Sequence, residues 1–148
     1  MMDKWDWRMM EIVTKNVATW SKDLDEGVGA LLVSPDRRQV SWGFNGFPRS
    51  IEDTAERLND KDLKNKLMVH AEMNAMLNSA VDISGWTLYC TKFPCPNCAT
   101  AIIQKGITRV VSPTIRQDSR WIADQMLSRL LLRESGVSLT LFSLDTEA

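Results

Sequence analysis

The chain has a single histidine, and a glutamate stands two residues after it in His70-Ala71-Glu72. Further along, Cys95 and Cys98 bracket Pro96 and Asn97. An imidazole and two thiolates are three good ligands for zinc, and zinc held by three protein groups keeps its fourth position for water. That pattern belongs to a catalytic site, because a closed structural site needs a fourth ligand. Neither a second histidine nor a well-placed third cysteine is present to supply one. Glu72 cannot comfortably share a metal with His70 from two residues away on a helix, yet it can reach a water bound there and carry its protons. Cys90, just before the Cys95 turn, reads as a small buried hydrophobe. Taken alone, Cys-x-x-Cys also fits a thioredoxin-like redox site, and it is His70 with Glu72 that moves the reading to metal.

For these side chains to meet, two helices must begin at the same sheet edge, where α/β proteins place their ligands. Residues 69–80, rich in helix formers, give a core helix starting near His70. Residues 87–91 read as a strand, and residues 96–105 as a helix opened by Pro96 and stopped by Gly106. A helix N-terminus also lowers a thiol pKa, which helps both sulfurs bind metal as anions. Around this centre, residues 5–20 predict an amphipathic helix with Met9, Ile12, Val13, Val17 and Trp20 as its core stripe. Residues 28–33 predict a buried strand, with 40–44 returning antiparallel after a turn at Ser34-Pro35-Asp36. Residues 45–65 read as loop with a solvated helical piece. Strands over 108–112 and 137–142 flank a helix over 119–134. This order gives an α/β fold, a mixed sheet with helices on both faces.

At 148 residues, with 44% hydrophobic and 25% charged side chains, the sequence suits one globular domain spanning 1–148. No run approaches the roughly 20 apolar residues of a membrane span, and the acidic, amphipathic start fits no secretory signal, so a cytoplasmic protein is expected. A net charge of −1 offers no broad basic surface for long nucleic acids, so a nucleic-acid substrate should be small. Six tryptophans, several near the chain ends, suggest self-association.

His70-Ala71-Glu72 followed by Pro94-Cys95-Pro96-Asn97-Cys98 carries the H-x-E and P-C-x-x-C signature of the zinc-dependent nucleobase deaminases. Trp42-Gly43-Phe44-Asn45-Gly46-Phe47-Pro48 resembles the G-Y-N-G-x-P segment of the deoxycytidylate deaminases, and the resemblance runs over about residues 5–142. It implies a cytidine-deaminase-like three-layer α/β/α fold with a central mixed sheet of about five strands. It implies one Zn2+ per subunit on His70, Cys95 and Cys98, and hydrolytic deamination of deoxycytidylate (dCMP) to deoxyuridylate (dUMP) and ammonia by a zinc-bound hydroxide, feeding thymidylate synthesis. Glu72 would shuttle the protons. The backbone at Ala71 and the Phe93 side chain would seat the base, and Asn45, which by itself is a turn signal beside Gly46, would hold the sugar. A homohexamer or at least a dimer, with dCTP or dTTP as effectors, comes with the same resemblance.

Two departures stand out. No second His or Cys cluster follows the Asn-Gly segment to hold a second zinc, and Phe44 replaces the usual Tyr. A substrate phosphate calls for a cation near the strand ends; Arg116 and Arg120 are the best-placed candidates, with Lys92 and Arg49 behind them and oligomer contacts as the competing role. Three other functions stay open. They are deamination of another cytosine nucleotide or nucleoside such as dCTP, deamination of a polynucleotide, which near-neutral charge disfavours, and a non-enzymatic zinc or redox module, which the intact Glu72 disfavours.

Overall fold

The apolar run ahead of Ser34 becomes β1 (Gly29–Val33), buried along its whole length, and β2 (Val40–Phe44) returns beside it at the sheet's edge. In this computed structural model, which describes residues 1–143, β3 (Thr87–Cys90), β4 (Arg109–Pro113) and β5 (Ser138–Phe142) complete a five-stranded sheet in the order β2-β1-β3-β4-β5. The end of the expected 1–148 domain lies outside the described residues. β1 runs antiparallel to β2 and β3, whereas β3, β4 and β5 are parallel, so the sheet is mixed as expected.

Pleating sends alternate residues to two cores. Ala30, Leu32, Leu88, Cys90 and Val110 meet α4 (Ala71–Asn78), α5 (Pro96–Gln104) and α6 (Ile122–Glu134). Leu31, Val33, Tyr89, Val111 and Phe142 meet α1 (Lys4–Lys15) on the other face. That is the three-layer α/β/α arrangement. No helix among the described residues is long and apolar enough to cross a membrane.

The first helix departs from its expected stripe. It stops at Lys15, a 3-10 turn covers Val17–Trp20, and the buried positions are Asp6, Met10, Val13 and Val17, while Ile12 and Trp20 are exposed. A face that runs through an aspartate does not read as hydrophobic, which hides its phase. Asp6 is nevertheless well matched. Its carboxylate takes two hydrogen bonds of 2.8 Å from Arg109, one of 2.7 Å from the Tyr89 hydroxyl and one of 3.0 Å from the Asp3 amide. Burial alone would raise its pKa, but Arg109, the Asp3 amide and Tyr89 outweigh it and hold the carboxyl at about 2, against an ordinary 3.8. A depressed folded pKa stabilises above the unfolded value and is lost as pH falls through the folded one. Asp6→Asn is therefore expected to lose about 3 kcal/mol at neutral pH by stranding Arg109. In urea titrations, the gap between parent and variant should narrow as pH drops from 3.8 to about 2.

On the other face, α4 lies so close to β2 that a Cβ on Gly43 would run into the Ala71 carbonyl and the Ala75 amide. Ser41 Oγ donates to the Ala75 carbonyl at 2.7 Å, and Asn74 Nδ2 to the Phe44 carbonyl at 2.8 Å. These contacts fix where α4 begins, and with it His70. The segment expected as loop with one solvated helical piece holds two short helices, α2 (Ala55–Asn59) and α3 (Lys61–Leu67), and α3 buries Lys64.

Candidate active site

His70 is the N-cap of α4 and Cys95 the N-cap of α5; Pro96 takes the first helical position, where its missing N–H costs nothing. Cys98 lies in the first turn of α5. Neither N-cap side chain makes a capping hydrogen bond. They turn toward each other instead, with Cys95 Sγ 3.3 Å and Cys98 Sγ 3.5 Å from His70 Nδ1 and all three donor atoms within 4.8 Å of one another. A tetrahedral zinc with ordinary Zn–N and Zn–S bonds spaces its N and S ligands by about 3.6 Å. Both sulfur–nitrogen separations thus match a single zinc ion, and the three side chains form the one such group of donors among the described residues.

The electrostatics suit this use. A hydrogen bond from Cys98, then one from His70, draws the Cys95 thiol down to about 4, and the Cys95 sulfur with burial pushes Cys98 up, so the pair favours a single shared negative charge. Cys95 in turn raises the His70 pKa. A divalent cation relieves this conflict by stabilising both thiolates. Glu72 is 4% exposed, and burial raises its pKa; its carboxylate shares a hydrogen bond with Cys98. Burial thus favours the protonated form of a carboxyl that stands beside the metal position rather than in the donor set.

Over residues 3–114 the sequence matches the family pattern for the cytidine and deoxycytidylate deaminase zinc-binding region. The chain belongs to that deaminase family. It is 38% identical over 147 residues to an uncharacterised deaminase from the luxG 3′ region of Aliivibrio fischeri, covering 98% of each. It is 36% identical over 132 residues to the deoxycytidylate deaminase of Mus musculus, covering 83% of this chain and 71% of that protein. The fold is that of the dCMP deaminase of cyanophage S-TIM5, solved in complex with dCMP and dUMP, with a TM-score of 0.79 at 23% identity over 96% of this chain and 99% of that one.

The family's zinc centre opens here into a cleft of about 500 Å³ with Asn45, Ala71 and Phe93 in its walls. Phe93 is buried, and the first turn of α4 presents the Ala71 backbone. Asn45 is also buried and largely engaged within the protein: its Oδ1 accepts from the Val28 amide at 2.8 Å, and its Nδ2 donates to Asp23 and to the Glu26 carbonyl. One lone pair on Oδ1 is left over. The two arginines part company. Arg120 lines this cleft and an adjoining cavity of about 800 Å³, whereas Arg116 lines only the second and is held by Asp118 through contacts of 3.0 and 3.1 Å. Arg49 bonds Asn78 and lines neither.

Three cleft residues lie outside the sequence reading. Lys64, in a run read as solvated, is 5% exposed and pairs with Asp23 at 3.0 Å and Asp25 at 2.7 Å, pinning α3 over the loop that holds Asn45. Trp121 and Gln125 bring the start of α6 into the cleft wall. Gln125 Nε2 donates to the Phe93 carbonyl at 3.4 Å, and its Oε1 is the one buried side-chain polar atom without a partner among the described residues. The sequence signal available for them was the i, i+4 spacing of 121 and 125, which reads equally well as core.

Proposed function

We propose that the protein hydrolyses the 4-amino group of deoxycytidylate, giving deoxyuridylate and ammonia. The observation that carries this reading is the buried Glu72 carboxyl set beside three zinc donors, with Glu72, His70 and Cys95 all in the wall of one cleft. The mouse relative's activity and the nucleotides held by the phage enzyme support it. When bound at His70, Cys95 and Cys98, zinc supplies a Lewis acid that acidifies water at its open position. Glu72 then carries the protons. It takes one from the water that adds to C4 of the ring and places it on N3. It takes the second and delivers it to the exocyclic nitrogen, which leaves as ammonia as the C4 carbonyl forms. Phe93 and the Ala71 backbone seat the base. The remaining lone pair of Asn45 Oδ1 receives a sugar hydroxyl.

Arg120, on the wall common to both cavities, is the leading cation for the phosphate, and Arg116 is the second, reached only once Asp118 gives way. Arg120→Gln is expected to lower kcat/KM for dCMP by about tenfold or more while deoxycytidine falls much less, with zinc content unchanged. Equal losses on both substrates would move the phosphate elsewhere. The reading as a whole is tested by ammonia release from cytosine, cytidine, deoxycytidine, dCMP and dCTP, where dCMP should give the highest kcat/KM. Self-association belongs to the same proposal. Val40 and Trp42 stand about half exposed on the edge strand, with Trp20 packed edge to face on Trp42 at 5.5 Å, an apolar patch suited to a second copy. Effector binding by dCTP or dTTP and a cytoplasmic location, where thiolate ligands stay reduced, complete it.

A further inference from the structure

We infer that Lys92 and Arg120 grip the substrate's phosphate together, with the indole of Trp121 as the spacer that sets them; this rests on the deoxycytidylate reading above. The two cations come from different connections. Lys92 lies between β3 and α5, three residues before Cys95, and Arg120 lies between β4 and α6, just ahead of Trp121. They converge on one ring. Lys92 Nζ is 5.8 Å and the Arg120 guanidinium 4.8 Å from the Trp121 ring centroid. All three side chains line both the zinc cleft and the adjoining cavity, so they stand at the rim between the two.

Trp121 is 40% exposed and is the N-cap of α6 without a capping side-chain bond, so neither core packing nor helix capping accounts for an indole there. Its π-face attracts cations and limits their freedom, so two otherwise mobile side chains are held toward the rim before a ligand arrives. A phosphate monoester is close to dianionic at neutral pH and matches two cations. Lys92 is available for it. Its partner, Glu26, at 3.2 Å, is 57% exposed, and exposed pairs of this kind are weak enough for a phosphate to replace. Glu26 thereby becomes the anion that a substrate phosphate competes with. Because Lys92 is tied through a short loop to the Cys95 turn, the clamp also measures the distance from the reacting base to the phosphate.

The test compares dCMP with deoxycytidine on purified holoenzyme carrying Lys92→Met, Trp121→Leu or Glu26→Gln, with zinc content measured in each. The ratio of kcat/KM for dCMP over deoxycytidine should fall about tenfold in Lys92→Met and severalfold in Trp121→Leu, which keeps every charge, and should rise in Glu26→Gln. Inorganic phosphate should compete with dCMP in the parent and lose potency in Lys92→Met. An unchanged ratio in Lys92→Met, or equal losses on both substrates there, would overturn the clamp. So would inorganic phosphate of equal potency on parent and variant. A parent protein that turns over neither substrate would instead remove the deoxycytidylate reading on which the clamp stands.

Discussion

Glu72→Gln is expected to keep its zinc and its fold while kcat/KM falls by about 10²–10⁴-fold, the range set by losing a positioned general acid–base. Glutamine has the shape of the glutamate, can still bond Cys98, and removes a charge whose burial was unfavourable, so the folded state has no reason to suffer. What it cannot do is bind and release a proton. The proposed sequence needs two transfers through one group, from water to N3 and then to the departing nitrogen, so both steps stop together. Activity measured by ammonia release, with zinc by atomic absorption on the same preparation, decides the assignment. Loss of zinc would make Glu72 a ligand, and near-parental turnover would place the proton carrier elsewhere.

The parts of this site that a sequence reveals are those written locally. His70 precedes a run of helix formers and Pro96 is a first-turn residue, so the starts of α4 and α5, and hence the facing of three ligands, can be read within a residue or two. The strands follow for the same reason, since β1 is apolar throughout and Gly106, at φ +76°, marks the end of α5. What fails to show is burial decided by distant partners. Lys64 looks solvated in a charged run until Asp23 and Asp25, some forty residues earlier, close over it. Asp6 looks like a surface acid until Arg109, 103 residues away, meets it. In sequence Arg116 is the first candidate and Arg120 the second, and only the path of the chain after β4 puts Arg120 at the zinc cleft and ties Arg116 to Asp118. Asn45 stands between the two cases. Its Asn-Gly turn is local, but its hold on the Val28 amide and the Glu26 carbonyl depends on how β1 is entered.

Removing a sulfur should have the largest effect on the metal, and the two sulfurs should differ in what else they disturb. Cys95→Ala and Cys98→Ala each leave two of three donors, and zinc content is expected to fall below about a tenth of the parent's, because affinity at such sites rests on the full set of deprotonated ligands. The stability effects separate them. Cys98, in the first turn of α5, is 1% exposed and lies against the buried Glu72, whereas Cys95 is partly exposed and lines the cleft. Cys98→Ala therefore empties a packed position as well as the metal site, and its Tm should lie below that of Cys95→Ala. Zinc binding to the folded chain stabilises it by mass action, about 2.7 kcal/mol at a hundredfold excess over Kd. Zinc added to chelator-treated parent should accordingly raise Tm by several degrees, while the same addition to either variant leaves Tm where it was. A variant that retained stoichiometric zinc would mean that another group, Glu72 first among them, completes the donor set. A parent protein that held no zinc and cycled a Cys95–Cys98 disulfide would return the pair to redox chemistry.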